Sequence, residues 1–329
     1  MFAPKGGINV SRILALCILG FIYPVHGALA QTYPNKPVRL VVNFPPAGGA
    51  DNVARLIAPG MSKVLGQQVL VDNRAGANGQ IGTDYVAKAA PDGYTLLFGS
   101  GGALTVSPNL ISVPYDPIKD FTPISKAVIN DGLLIVHNSF PASNTKDFLD
   151  VLRKSPGKYS FASSGAGGPT HLAGELIKGM ASVDMAHIPY KGDAPALTDL
   201  MGGSVPIMVT VLATASSQVK AGKVKAIAAL GATRFPQIPD LPTFAEAGFP
   251  GFSAGAWFGI LAPAGASPDV IAKVNDATRR SVADPDTHEK MLAQGSTPIT
   301  STPAEFAQYI KDELAKWGKV IKTAGIKLE

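Results

Sequence analysis

Strand-like and helical segments alternate through most of this chain, and this alternation restricts its fold more than any other feature. Short apolar runs typical of β-strands are separated by stretches in which apolar residues recur with a period near 3.6 residues. The strand-like runs are Val38–Val42, Val69–Val71, Tyr94–Phe98, Leu133–His137, Tyr159–Ala162, Ile207–Val211 and Val224–Leu230. Helical spacing is clearest in residues 53–65 and 172–180. The pattern predicts an α/β protein built on largely parallel sheets.

The C-terminal part carries two signals for the start of a helix. Ser267-Pro268-Asp269 places a capping residue before a proline, and Thr302-Pro-Ala-Glu305 adds the glutamate of a capping box. We therefore predict helices at about 268–283 and 302–323. Pro59 lies inside the helix predicted after the first apolar run, and we expect a kink there because proline removes a backbone donor.

The first thirty residues have the composition of an export signal. Lys5 and Arg12 give a positive start, Ile13–Tyr23 is apolar, and Ala28-Leu-Ala30 has the form of a cleavage site. The apolar run is shorter than the roughly 20 residues of a membrane helix. We expect cleavage after Ala30. A lipoprotein signal at Cys17 is the alternative, which the bulky residue before that cysteine disfavours.

The composition left after this cleavage excludes several classes of function. Cys17 is the only cysteine, so the mature chain would lack disulfides, thiolate nucleophiles and cysteine-ligated metals. Loss of Lys5 and Arg12 lowers the 29 basic residues to 27 against 24 acidic ones, a net charge of +3. So small and scattered an excess argues against nucleic-acid binding. The length predicts two domains by the soft rule of roughly 150 residues each.

Two glycine-rich loops connect a strand-like run to a helical one and offer little but backbone. The first glycine loop is residues 44–49, and the second glycine loop is residues 165–169. The first N–H groups of a helix lack internal partners and lie at the positive end of its dipole, so they form an anion site. Ligands of open α/β sheets bind beyond the carboxyl ends of the strands.

We therefore expect the two loops to face each other across a cleft and to bind a carboxylate through backbone N–H groups. The alternative is that glycine and proline merely end strands and start helices.

A series of motifs extends over essentially all of the mature chain. They are Tyr33-Pro-Asn-Lys-Pro-Val-Arg39, Phe44-Pro-Pro-Ala-Gly-Gly-Ala-Asp51, Val71-Asp-Asn-Arg-Ala-Gly76, Pro91-Asp-Gly-Tyr-Thr-Leu96, Tyr115-Asp116 with Asp120-Phe121, Ser164-Gly-Ala-Gly167 with His171-Leu172, His187-Ile-Pro-Tyr-Lys-Gly192, Pro239-Asp-Leu-Pro-Thr243 and Glu246-Ala-Gly248. In this order they resemble the extracytoplasmic solute receptors of tripartite tricarboxylate transporters, the Bug family. The resemblance implies a type II periplasmic-binding-protein fold, an α/β fold with two lobes and a ligand cleft between them. It also implies a periplasmic receptor that binds small organic carboxylates, partly through water, and delivers them to a separate membrane permease.

The resemblance and the glycine loops together locate the lobes and the site. We expect lobe 1 to comprise residues 31–129 and 255–329, and lobe 2 to comprise residues 130–254. The expected ligand-binding residues are Phe44, Ala47, Gly48, Gly49, Ala50, Asp51, Ser100, Ser164, Gly165, Ala166, Gly167, Thr170, His171, Tyr190 and Asp193. Ala47 and Ala50 depart from the family pattern, in which Gly and Thr or Ser are common, and Ala50 lacks a hydroxyl that would touch the ligand. We expect a monomer without a cofactor, and the residues do not identify which carboxylate it binds.

Several of these residues have a structural alternative. We expect Asp51 to cap the helix after the first glycine loop, which leaves the N–H groups of residues 47–50 for the ligand. Asp193 precedes a helical segment and either serves as its N-cap or faces the pocket. Tyr190 either reaches the cleft with its hydroxyl or packs in the core. Ser100 belongs either to the wall of the pocket or to an ordinary loop.

His171 and Glu175 lie four residues apart on one predicted helix and supply at most half of a metal site, so we expect no metal. We expect His171 to line the cleft or to pack in the first helical turn. Arg74 is either a bidentate partner of a ligand carboxylate or a structural residue, and its surrounding motif favours the structural role.

An enzyme is the alternative to a receptor. Gly251-Phe-Ser-Ala-Gly255 matches the nucleophile elbow of serine hydrolases, with Ser253 as the nucleophile. That motif requires a strand before the serine and a helix after it, whereas Pro250 precedes it and residues 256–261 have the pattern of a strand. We therefore prefer the receptor, which performs no chemistry.

Overall fold

The structure is a computed structural model that describes residues 1–3, 33–46 and 48–326. Most of the predicted export signal, its cleavage site and Ala47 lie outside the described residues. The strands are β1 (Val38–Val42), β2 (Val69–Asn73), β3 (Thr95–Ser100), β4 (Phe121–His137), β5 (Ser160–Ser163), β6 (Ala186–Pro189), β7 (Ile207–Val211), β8 (Val224–Ala229), β9 (Gly255–Pro263) and β10 (Thr297–Pro298). The α-helices are α1 (Gly49–Leu65), α2 (Gln80–Ala87), α3 (Ser107–Leu110), α4 (Thr145–Lys154), α5 (Pro169–Ala181), α6 (Asp193–Met201), α7 (Leu212–Lys220), α8 (Pro268–Ala283), α9 (Pro285–Ala293) and α10 (Pro303–Ala324). Within the described ranges, no helix has the length and apolar character that crossing a membrane requires.

The first sheet joins β2, β1, β3, β9 and β4 in that order. β1 runs parallel to β2 and β3, and β9 runs antiparallel to β3 and β4. Its side chains enter two buried layers. Leu40 and Phe98 pack with residues of α1 and α8, whereas Val41 and Leu97 pack with Phe306 of α10. Because both faces are covered, the central strands β1 and β3 are mostly apolar and lack a strict apolar–polar alternation.

The second sheet joins β4, β7, β5 and β6, and β8 pairs with β4. β5 runs parallel to β6 and β7, and both β7 and β8 run antiparallel to β4. Leu134 and Phe161 face a core formed with α4 and α5, and Leu133 and Met208 face a core formed with α6 and α7. This sheet is therefore also buried on both faces.

Strand β4 belongs to both sheets. Its residues up to Asp131 pair with β9, and its residues from Gly132 onwards pair with β7. At the crossing, the N–H of Gly132 donates to the carbonyl of Ala254 over 3.1 Å, and the carbonyl of Gly132 accepts the N–H of Leu230 over 2.8 Å. Three segments of the chain are thus hydrogen-bonded to each other where the two sheets meet.

Much of the predicted secondary structure is confirmed. Each of the seven strand-like runs forms a strand, and the two predicted C-terminal helices are α8 and α10. Thr302 and Glu305 form the predicted capping box at the start of α10. Helix α1 extends through Pro59, as the periodicity predicted, while the kink at that proline stays a prediction.

The expectation of largely parallel sheets is wrong, because β4 and β9 introduce antiparallel pairing into the first sheet and β4 does so in the second. Sequence reasoning detected only the end of β4. Bulges between Pro123 and Ser125 and between Lys126 and Val128 interrupt the two-residue period of its first half.

Candidate ligand-binding site

The first glycine loop ends in a helix start made of backbone alone. Gly48 is the N-cap of α1, and no side chain caps the helix there. The N–H groups of Gly48, Gly49 and Ala50 donate to no other described residue. They form part of the predicted anion site, and Ala47 lies outside the described residues.

Asp51 is not the helix cap, which corrects the sequence-based prediction. It is the third residue of α1 and its side chain is buried, 2% exposed. Its carboxylate accepts hydrogen bonds from Arg55 Nε over 2.9 Å and from Asn73 Nδ2 over 2.9 Å. Asn73 also donates to the carbonyl of Phe44 over 3.1 Å. Asp51 therefore ties the helix start to the end of β2 and to the loop.

Phe44 begins the first glycine loop, and Ser100 lies close to the residue that precedes it. The half-buried ring of Phe44 packs edge-on against Phe258, with centroids 6.1 Å apart. Ser100 ends β3 and is buried. Its Oγ lies 3.4 Å from Asn43 Nδ2, and Asn43 immediately precedes the loop. Its Oγ also accepts the N–H of Ala103 over 3.3 Å. Ser100 and the first glycine loop thus lie at the carboxyl ends of the neighbouring strands β3 and β1.

The second glycine loop is held by short-range hydrogen bonds. Thr170 Oγ1 accepts the N–H of Ser164 over 3.0 Å and lies 2.8 Å from Ser164 Oγ. Gly165 and Gly167 have φ of 155° and 69°, values that side chains disfavour, so glycine is required for this turn. Helix α5 begins immediately after the N-cap Gly168. The sequence pattern of strand, glycine loop and helix is confirmed here as it is at α1.

Three backbone N–H groups at this loop have no acceptor among the described residues. The N–H groups of Ala166, Thr170 and His171 donate to no other described residue, whereas those of Gly165 and Gly167 bond to side chains of the protein. His171 is buried in the first turn of α5, as one of its two predicted placements required. Its Nε2 lies 3.9 Å from Glu175 Oε1. Among the described residues, no group of three or more possible ligands assembles around a metal position.

Asp193 is not an N-cap, so the first of its two predicted roles is wrong. Gly192 occupies the cap of α6, and Asp193 is the first helical residue. Its Oδ1 accepts the hydroxyl of Thr210, at the end of β7, over 3.0 Å. Burial raises the pKa of the Asp193 carboxyl, and hydrogen bonds from Thr210 and Thr214 oppose that shift. The N–H of Gly192 donates to the carbonyl of Ser164 over 3.0 Å, so this helix start adjoins the second glycine loop.

Tyr190 and Arg74 have mainly structural partners. The hydroxyl of Tyr190 donates to Asp199 Oδ2 over 2.7 Å, and its half-buried ring packs against the core beside α6. Arg74 Nε donates to Asp72 Oδ2 over 3.0 Å, and its guanidinium stacks 3.6 Å from the ring centroid of Tyr85. The structural role preferred for Arg74 is therefore confirmed.

The expected residues form two groups. Phe44, Gly48–Asp51 and Ser100 lie at or just after the ends of strands of the first sheet. Ser164–Gly167, Thr170, His171, Tyr190 and Asp193 lie after strands of the second sheet. Sequence reasoning gave no role to the partners Asn73, Thr210 and His187. Asn73 and His187 each lie in one of the motifs, which could have drawn attention to them, whereas Thr210 lies in none and contacts the site from a distant segment.

Ser253 does not have the setting of a nucleophile elbow. It lies in a loop that leads into β9, so a strand follows it where the motif requires a helix. Its carbonyl accepts Lys316 Nζ over 3.0 Å.

A groove of about 660 Å³ lies away from the glycine loops, between the C-terminal half of α5 and α10. Glu175, Lys178, Lys316 and Lys319 are among its lining residues, together with apolar side chains of both helices. None of the fourteen expected ligand-binding residues that the structure describes lines it.

Comparison with known proteins places this geometry in a family. The sequence profile TctC, the tripartite tricarboxylate transporter family receptor, matches residues 53–326. Protein BugT of Bordetella pertussis is 35% identical over 98% of this chain and 100% of its own length. The structure of Rpa4515 of R. palustris with adipate is 35% identical, with a TM-score of 0.72 over 90% of this chain and 99% of that one. The structure of MatC from Rhodopseudomonas palustris with bound malate is 33% identical, with a TM-score of 0.69 over 88% of this chain and 100% of that one. The fold is thus the mixed α/β fold of periplasmic binding proteins, and the chain belongs to the family of tripartite tricarboxylate transporter receptors, the Bug proteins among them.

Proposed function

We propose that this protein is a periplasmic receptor that captures a small organic dicarboxylate and delivers it unchanged to a tripartite tricarboxylate-type permease. The observation that carries the proposal is the pair of glycine-loop helix starts, at α1 and α5. The N–H groups of Gly48–Ala50 at the first, and of Ala166, Thr170 and His171 at the second, donate to no other described residue. Adipate and malate, the ligands of two related structures, are both dicarboxylates. Two backbone anion sites match two carboxylate groups.

In this proposal each lobe contributes one anion site. Lobe 1 comprises residues 31–129 and 255–329, and lobe 2 comprises residues 130–254. Support for this division comes from β4, whose pairing changes from the first sheet to the second between Asp131 and Gly132. A ligand that contacts both lobes only in the closed form binds that form more tightly than the open one. Ligand binding therefore shifts the equilibrium between the two forms towards closure.

Backbone recognition explains how such a site binds an anion without an arginine. Helix N-termini present several N–H groups and a partial positive charge, and glycine lets an oxygen approach them closely. Asp193 adds selectivity at the second site. An ionised carboxylate there repels a bare ligand carboxylate, so we expect a ligand or water that donates a hydrogen bond near Asp193 and Thr210.

The test is a thermal-shift screen of the protein against dicarboxylates that include adipate and malate, with their dimethyl esters as matched controls. A ligand at 100 times its Kd adds about 2.7 kcal/mol to the free energy of unfolding, which raises the Tm of a chain of this size by several degrees. The proposal expects a rise for a dicarboxylate and none for its ester. Equal shifts for acid and ester, or no shift across a broad carboxylate panel, contradict it.

Ser253 supplies the internal control for the enzyme alternative. A receptor requires nothing of this hydroxyl, so a Ser253→Ala protein is expected to give the same ligand-induced shift as the wild type. Loss of a measurable ester-cleaving activity in a folded Ser253→Ala protein would favour the hydrolase instead.

A further inference from the structure

Two histidine rings lie face to face beside the second glycine loop. His171, in the first turn of α5, and His187, in β6, have ring centroids 3.6 Å apart and planes 8° from parallel. The ring of Phe161 in β5 lies 5.0 Å from His187 and 6.4 Å from His171. His171 is buried and His187 is half-buried. The pair thus packs between the second sheet and the helix that starts at the loop.

The backbone of the loop sets the protonation state of His171. The N–H of Gly167 donates to His171 Nδ1 over 2.9 Å. A ring nitrogen that accepts a hydrogen bond carries a lone pair, so His171 is neutral with its proton on Nε2. Burial, with the nearby Lys178, lowers the pKa of His171 to about 4. Burial, with His171 and Lys178, lowers the pKa of His187 to about 4 as well.

His187 contacts the other end of the loop through one hydroxyl. His187 Nε2 lies 2.7 Å from Ser163 Oγ, and that oxygen accepts the N–H of Gly165 over 3.2 Å. The two histidines therefore hold Gly167 directly and Gly165 through Ser163. These are the two glycines of the loop whose φ is positive.

We propose that His171 and His187 are positioning residues, a neutral stacked pair that fixes the second glycine loop and keeps the N–H groups of Ala166, Thr170 and His171 directed to the ligand. The proposal rests on the proposed function, since it assigns the loop to carboxylate binding. Neither imidazole needs to touch the ligand. Their role is to occupy the N–H groups of Gly165 and Gly167, so that the remaining donors adopt one arrangement.

The same contacts make the loop sensitive to acid. Protonation of His171 turns Nδ1 from an acceptor into a donor, which breaks the bond from Gly167. The charges that act on the pair from α5 are Lys178 and Glu175. From α10, Lys316 lines the same groove as Glu175, whereas β5 presents only the uncharged Phe161 and Ser163.

The first arm of the test needs no ligand. Proton–nitrogen correlation spectra of the imidazoles in the wild-type protein at neutral pH are expected to show His171 with a bare Nδ1 and a protonated Nε2. The amide signal of Gly167 is expected to shift with the titration of His171, below about pH 5. A proton on Nδ1, or a Gly167 amide that ignores the titration, overturns the proposal.

The second arm compares two variants by calorimetric titration with adipate and malate, or with the acid that gives the largest thermal shift. His171→Phe keeps a stacked ring but removes the acceptor of the Gly167 N–H, so the free loop is no longer held in the binding arrangement. We expect the Kd to rise about tenfold, because binding must then restore that arrangement without the contribution of one hydrogen bond. His171→Asn replaces Nδ1 by an amide oxygen at the same position and is expected to stay within about threefold of the wild type.

The outcomes separate this proposal from the proposed function. If the wild type binds a carboxylate and His171→Phe binds it equally well or better, the positioning role is refuted while the receptor function stands. If the wild type binds no carboxylate, the proposed function fails and the imidazole spectra still decide the arrangement of the loop. If the His171→Phe protein does not fold, the calorimetric titration of His171→Asn and the imidazole spectra of the wild type still test the positioning role.

Discussion

Replacement of Asp131 by asparagine should stabilise the protein above neutral pH and not in acid. Asp131 lies in β4 at the crossing between the two sheets and is 8% exposed. Its carboxyl packs against the backbone of Gly231 and Gly255, where a Cβ would come within 2.1 Å and 2.7 Å of a carboxyl oxygen. Among the described residues, none donates a hydrogen bond to it. Such a site favours the uncharged acid.

The sign and size follow from the pKa. Burial raises the pKa of Asp131 from 3.8 to about 7, and the charge of Lys316 opposes this shift. The folded protein therefore holds the Asp131 proton more tightly than the unfolded chain does. The stabilisation that this proton provides is fully present below the pKa of Asp131 in the unfolded chain. It is lost as the pH rises through the pKa of Asp131 in the folded protein. About three pKa units correspond to roughly 4 kcal/mol, which is an upper bound on the change between pH 4 and pH 8.

The assay is urea unfolding of the wild type and of Asp131→Asn at several pH values, compared as a difference in the free energy of unfolding. The advantage of the Asp131→Asn protein over the wild type should grow by up to about 4 kcal/mol from pH 4 to pH 8. The exposed Asp240 provides the matched control, because Asp240→Asn should give a nearly flat difference. A flat difference for Asp131→Asn as well would show that the buried carboxyl does not hold its proton.

Two further predictions concern helices that carry the site and its support. In α5, a Cβ at Gly174 would lie 2.2 Å from Phe161 Cε2, so Gly174→Ala should lower the free energy of unfolding by about 1–3 kcal/mol. Gly179 in the same helix faces open space, so Gly179→Ala should raise the free energy of unfolding by about 0.5–1 kcal/mol. Urea unfolding measures both variants, and equal effects at the two glycines would contradict the packing argument. At the start of α10, Thr302→Ala removes the acceptor of the Glu305 N–H and should cost about 1 kcal/mol, and an unchanged Tm would show that the capping box contributes nothing.

The buried strands of the fold were predictable because both faces of each sheet are covered. Runs such as Val38–Val42 and Ile207–Val211, in which one polar residue interrupts the apolar ones, are typical of strands buried on both faces. The first half of β4 was not predictable. It contains Pro123, Lys126 and Asn130, and its bulges interrupt the alternation of apolar and polar residues by which a strand is identified in a sequence.

The glycine loops were predictable, but the roles of the acidic residues beside them were not. Sequence rules rank Asp above Gly at an N-cap, yet Gly48 and Gly192 occupy those positions. Asp51 and Asp193 instead bond to Asn73 and Thr210, which reach them from other strands. Pairings of this kind depend on the register of the sheets, which the order of residues along one segment does not contain.

The shared strand β4 also shapes how the chain must fold. In the first sheet, Leu97 of β3 pairs with Leu261 of β9, 164 residues further along. The strands of the second sheet, from Gly132 to Ala229, all lie between these two partners. Pairing over such long separations is slow because loop closure is entropically unfavourable. The second sheet is therefore expected to form first, as a contiguous unit that shortens the effective loop and brings β9 back to β3.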